Sequence, residues 1–158
     1  MGITPVKNGF VQTVYADFMG QATNGMLANS SDINLCDSVY TGDIKGYAGR
    51  CYGLQAGKIV SYADGLEPVV CVFHPQMNSD DEGNYDEGTC TVLRSKRIGG
   101  RVFVEVSGIS EITEDTTLNV DSDGKFTTGT GTSLAAHVKV VGEYSPVDSK
   151  ALVEIEVF

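Results

Sequence analysis

Few side chains in this 158-residue chain are suited to catalysis, and none stands at a spacing that chemistry demands. There are two histidines, His74 and His137, and both fall in stretches that read as β-strands. A general base needs an oriented partner within hydrogen-bond reach, and neither histidine has a local motif that supplies one. The four cysteines, Cys36, Cys51, Cys71 and Cys90, contain no CxxC pair. Two disulfides could join them in three ways. The segment from Met1 to Asn8 has no apolar core of the length a secretory leader needs. The expectation is therefore synthesis in a reducing cytoplasm, with the thiols buried and unpaired. No nucleophile elbow, zinc-binding HExxH, Walker loop or GxGxxG following a strand occurs. The chain reads as a non-enzyme without a cofactor.

Three polar segments remain. Residues 78–88 gather Asp80, Asp81, Glu82, Asp86 and Glu87, oxygen donors of the kind that suit Ca²⁺. Without evidence of convergence they read as a solvated loop, and no metal site is assigned. Asp121-Ser122-Asp123-Gly124 resembles the opening of an EF-hand loop but lacks its closing Glu, so it reads as a turn. Gly129-Thr130-Gly131-Thr132 could cradle an anion, but no helix signal follows, and a flexible loop is expected. The one basic cluster is Arg94-Ser95-Lys96-Arg97, too small to anchor nucleic acid but able to meet an acidic neighbour.

The elements that carry these groups are strands. Apolar and β-branched runs at 57–63, 68–74, 89–95, 101–106, 116–120, 125–128, 137–141 and 151–158 are separated by glycine turns. The run 68–74 is apolar enough to be buried on both faces. In 101–106, Val102, Val104 and Val106 share one face. Val153, Ile155 and Val157 do the same at the end of the chain, with Glu154 and Glu156 opposite. Asp123-Gly124 between two such runs predicts a hairpin. The class is all-β, a sandwich or barrel. A chain of this length hides roughly 68–70% of its unfolded surface, so it needs no disulfide or metal to fold.

Residues 1–30 read as an N-terminal arm and 31–158 as the β domain. Phe10, Val11, Val14, Tyr15, Phe18 and Met19 form a stripe that fits a short helix or an extended segment. An apolar terminal segment must be covered, by its own domain or by a neighbour. Those six residues are the expected partner-binding anchors, since aromatic residues and Met are favoured at interface cores. The net charge of -10 disfavours a nucleic-acid partner and an anionic membrane surface.

Three segments resemble the structural cement, or capsid decoration, proteins of tailed bacteriophages. They are Gly25-Met26-Leu27-Ala28-Asn29-Ser30, then Ile44-Lys45-Gly46-Tyr47-Ala48-Gly49-Arg50, and the hairpin from Thr117 to Thr127 with the closing strand Leu152 to Val157. The acidic stretch 78–88 and the four cysteines depart from that pattern. The resemblance implies a jelly-roll-like β fold and no enzymatic activity. It implies binding to the major capsid protein, self-association as a dimer or trimer, and a place on the exterior of the virion. The alternative is a phage tail or adhesin-type β module that binds a cell-surface glycan or protein.

Overall fold

A computed structural model of the chain describes residues 24–28, 35–73, 88–95, 100–107, 112–142 and 151–158. The described residues include eleven strands: β1 (Cys36–Tyr40), β2 (Cys51–Gln55), β3 (Lys58–Val60), β4 (Glu67–Cys71), β5 (Thr89–Arg94), β6 (Gly100–Ser107), β7 (Asn119–Val120), β8 (Phe126–Thr127), β9 (Thr132–Ser133), β10 (Val138–Gly142) and β11 (Ala151–Val157). The all-β sandwich or barrel expected from the sequence is what forms. The six arm residues, His74 and the carboxylates of 78–88 lie outside the described residues.

Strands β1, β3, β2, β4 and β5 close into a small barrel. Four of its seams are antiparallel ladders. The fifth, between β1 and β3, is parallel and one pair deep, Tyr40 with Lys58. The β2–β3 connection is a tight turn in which Ala56 and Gly57 both have positive φ, 50° and 76°. That is the pattern a two-residue hairpin turn requires to match strand twist.

The other layer is a six-stranded sheet in the order β10-β11-β6-β8-β7-β9. The hairpin expected at Asp121–Gly124 is present, joining β7 to β8. β6 is its central strand. It pairs with β11 over seven residues, Ala151 with Val106 through Val157 with Gly100. On its other side it meets β8 in parallel and residue Leu27 in an antiparallel bridge.

Two apolar cores result, and the barrel strands serve both. Val39, Tyr52, Ile59, Val69, Cys71, Cys90 and Val92 fill the barrel. Cys51, Val70, Val72 and Leu93 point outward from it, onto Val102, Val104, Val106, Phe126, Val153, Ile155 and Val157 of the sheet. Val69 and Cys71 therefore face one core, and Val70 and Val72 the other, so the predicted double burial of this run is real. Each such side chain contributes about 1.5–3 kcal/mol relative to exposure. The expected faces of β6 and β11 also hold: Val102, Val104, Val106, Val153, Ile155 and Val157 are all buried.

Some expectations need correction. The run 68–74 ends as a strand at Cys71, because the Phe73 N–H turns away to donate to the Gly25 carbonyl. His137 precedes β10 rather than lying within it. Its N–H donates to the Leu134 carbonyl in a turn. The loop 129–132 is tied down rather than flexible. The Gly129 N–H donates to Thr127 Oγ1 at 3.0 Å, and Asn119 Nδ2 donates to the Gly129 carbonyl at 2.7 Å.

Candidate functional site: the junction of arm root, barrel and sheet

Residues 24–28 were assigned by sequence to the arm, and they are threaded between the two layers of the body. The Gly25 N–H donates to the Phe103 carbonyl at 2.7 Å, and the Phe103 N–H donates to the Met26 carbonyl at 2.9 Å. The Ala28 N–H donates to the Arg101 carbonyl at 3.1 Å. These bonds add the segment to the edge of β6. On the barrel side, the Gly25 carbonyl accepts from the Phe73 N–H at 2.7 Å. Asn24 Oδ1 accepts from the Glu105 N–H at 2.9 Å. One short segment is therefore hydrogen-bonded to both layers.

The local sequence explains the fit. Gly25 has φ +85°, and a Cβ there would stand 2.8 Å from the Ala48 Cβ and 2.7 Å from the Gly49 N. Only a residue without a side chain allows the two backbones so close. Gly49, in the turn before β2, has φ +79°, and its own missing Cβ would fall on the Asn24 side-chain amide. The turn is closed by the Arg50 N–H donating to the Tyr47 carbonyl and anchored by the Gly49 N–H donating to the Cys71 carbonyl.

The hairpin 121–125 joins the same junction. The Cys51 N–H donates to the Gly124 carbonyl at 2.8 Å. Arg50 Nη1 donates to the Asp123 carbonyl at 3.4 Å, and its guanidinium lies 4.0 Å from the Tyr47 ring centre. The three segments that carry the family resemblance thus meet in space. Asp121, considered as a cation ligand, spends its carboxylate on the turn: Oδ1 accepts from the Asp123 and Lys125 N–H groups, both at 2.9 Å. Among the described residues, no three or more His, Cys, Asp or Glu side chains gather as a metal-binding group.

Ion pairs form on the barrel surface and on the outer face of the sheet. Of the basic cluster 94–97, Lys96 and Arg97 lie outside the described residues. Arg94 grips Glu67 with two bonds, Nε–Oε1 at 3.1 Å and Nη2–Oε2 at 2.8 Å, and reaches Asp37 at 3.3 Å. Its hydrogen bonds to Glu67, and secondarily those to Asp37, push its guanidinium further above its usual range. On the outer face of the sheet Lys139, Glu156 and Arg101 are directly opposed across β10, β11 and β6. Glu156 bonds both cations at 3.6 and 3.4 Å, and Glu154 adds a contact to Arg101 at 3.6 Å. Exposed pairs of this kind stabilise little, but they make the face polar and selective about its neighbours.

None of the four cysteines is in a disulfide; Cys51, Cys71 and Cys90 are buried, and Cys36 is half-buried. Burial pushes the Cys51 thiol well above its usual range. Cys71 and Cys90 face each other inside the barrel with their sulfurs 3.9 Å apart. Sequence reasoning missed this pair and the Asn24–Gly49 lock. The alternation in β4 and β5 gives each cysteine its face, but only the antiparallel register between those two strands brings the pair together.

No family model matches the chain, and neither a curated protein nor a solved structure matches it.

Proposed function

We propose that this chain is a capsid cement protein of a tailed bacteriophage. It binds the major capsid protein on the exterior of the shell, self-associates as a dimer or trimer, and stabilises the head without catalysis. The observation that carries this reading is the double attachment of residues 24–28. Gly25 is bonded to Phe73 on the barrel side and Phe103 on the sheet side, six residues after Met19, the end of the apolar stripe. A load taken by the arm would pass into both layers of the body at once. The body itself is braced, since β4 contributes side chains to two cores. A cement protein has this requirement: an adhesive segment rooted in a stiff block. Each copy adds modest binding free energy, and many linked copies act together through avidity. The resemblance of the three converging segments to the phage decoration family supports the same reading.

Removing residues 1–20 tests it, because the lock at 24–28 is kept. The shortened protein should fold and melt like the full chain but fail to co-sediment with expanded capsids lacking their own copy. Undiminished binding would take Phe10, Val11, Val14, Tyr15, Phe18 and Met19 out of the interface. Failure of the full chain to bind capsids, with strong saccharide hits on a glycan array, would favour the tail or adhesin module instead.

A further inference from the structure

We infer that Cys71 and Cys90 are a redox-active dithiol that a hydroperoxide closes to an intramolecular disulfide, welding β4 to β5 inside the barrel. The two sulfurs lie 3.9 Å apart, with the Cys71 S–H donating to Cys90 Sγ. Side-chain rotation of ~1 Å at each sulfur brings them near the ~2.05 Å of a disulfide. Both side chains point into the same core, among Val69, Val92 and Ile59.

Access is through a thin cover. The backbone of Gly46 lies over the pair: a Cβ on it would stand 3.4 Å from Cys71 Sγ and 3.4 Å from Cys90 Cβ. Gly46 sits between exposed Lys45 and half-buried Tyr47. The β1–β3 seam, one pair deep, is the least secured edge of the barrel. Opening at such an edge costs less than global unfolding and admits a molecule as small as hydrogen peroxide.

The hydrogen bond also assigns the roles. It favours the ionised form of Cys90 and holds the proton on Cys71, so Cys90 is the attacking thiol. The Cys90 thiolate attacks one peroxide oxygen and the O–O bond breaks. A sulfenic acid forms on Cys90, and the released hydroxide takes up a proton to become water. Cys71 then gives up its proton and attacks the Cys90 sulfur. The S–O bond breaks, the S–S bond forms, and a second water leaves. Two thiols and one hydrogen peroxide become one disulfide and two waters; sulfur supplies the two electrons that reduce the peroxide.

Trypsin cuts after Lys58 and Arg94 and releases both cysteines, and no others, in the peptide 59–94. The folded full-length protein is treated with hydrogen peroxide, quenched, denatured, alkylated and digested. The expected peptide is lighter by two hydrogen atoms than the reduced, unalkylated peptide, carries no alkyl group on cysteine, and recovers two alkylatable thiols after reduction. The treated protein should melt ~5–10 °C higher, because a cross-link restricts the unfolded chain. Cys51→Ala should behave as wild type, whereas Cys71→Ala should block the disulfide and stop at an oxidised Cys90. The wild-type peptide decides the matter if that variant does not fold. Two alkylated thiols after peroxide, oxygen added to cysteine without loss of the two hydrogens, or a bond from either residue to Cys36 or Cys51 would overturn the inference.

Discussion

Asn24 and Gly49 occupy a space with room for only one side chain: the carboxamide of Asn24 fills the position where a Cβ on Gly49 would stand. Asn24 is held there by the Glu105 N–H, so it cannot yield without losing the bond that ties the arm root to β6. Gly49 also has φ +79°. Gly49→Ala therefore adds a clash to a strained backbone and should cost about 2–4 kcal/mol. Asn24→Ala relieves the clash and loses one hydrogen bond, at about 1 kcal/mol. In the double variant the two costs should fall short of additive. Denaturant midpoints of the three proteins measure the coupling, and strict additivity would show that the two residues do not compete.

The fold should weaken in alkali. Burial holds the Cys51 thiol and the Tyr52 phenol above their unfolded values of 9.0 and 10.0. Their neutral forms contribute stability that is fully present below those values and is lost progressively as pH climbs above them toward the raised values of the folded protein. Each ionising group steepens the loss by up to about 1.4 kcal/mol per pH unit. Urea midpoints should be level from pH 7 to 8.5 and fall from there to pH 11. Cys51→Ala should flatten the first part of that fall. An unchanged slope in the variant would assign the loss to other groups.

Arg94 is set by its ion pairs on the barrel surface. It bonds Glu67 through two nitrogens and Asp37 through a third. Its raised guanidinium value lies far above working pH, so its charge is constant there and its contribution does not vary with mild alkali. Arg94→Met keeps much of the stem and removes the charge. It should cost about 1–2 kcal/mol, more than an isolated surface pair is worth, because the bidentate geometry is fixed by β4 and β5. A melting temperature equal to wild type would mean the cluster is ornamental to stability.

Asp121 should matter to the hairpin rather than to any cation. Its Oδ1 accepts two backbone N–H groups. Asp121→Ala should cost about 1–2 kcal/mol, and calcium should leave the melting temperature of both proteins where it was. A calcium-dependent rise in the wild type, absent in the variant, would restore the ligand role that the turn geometry takes away.

What was legible in the sequence was local. The alternation of Val102, Val104 and Val106, the matching stripe at Val153, Ile155 and Val157, and the turn at Asp121–Gly124 are set by neighbours in the chain, and each appears where expected. The double burial of Val69 to Val72 was also readable, as an unbroken apolar run. β1 and β2 were not, because Cys36–Tyr40 and Cys51–Gln55 are short, mix polar residues and glycine with apolar ones, and owe their conformation to partners far along the chain. Tyr40, on β1, is 61% exposed, which no periodicity announces. The junction was hidden for the same reason. Gly25, Gly49 and Gly124 are far apart in the chain, and only the packed barrel and sheet bring them to one place.

The most direct test of the proposed role is an image of the particle. A reconstruction of phage heads carrying this chain should resolve its barrel and sheet on the outside of the shell, with residues 1–20 running onto neighbouring capsid subunits. Heads whose shells lack that density, with the chain found instead at the tail or absent from the particle, would contradict the capsid assignment.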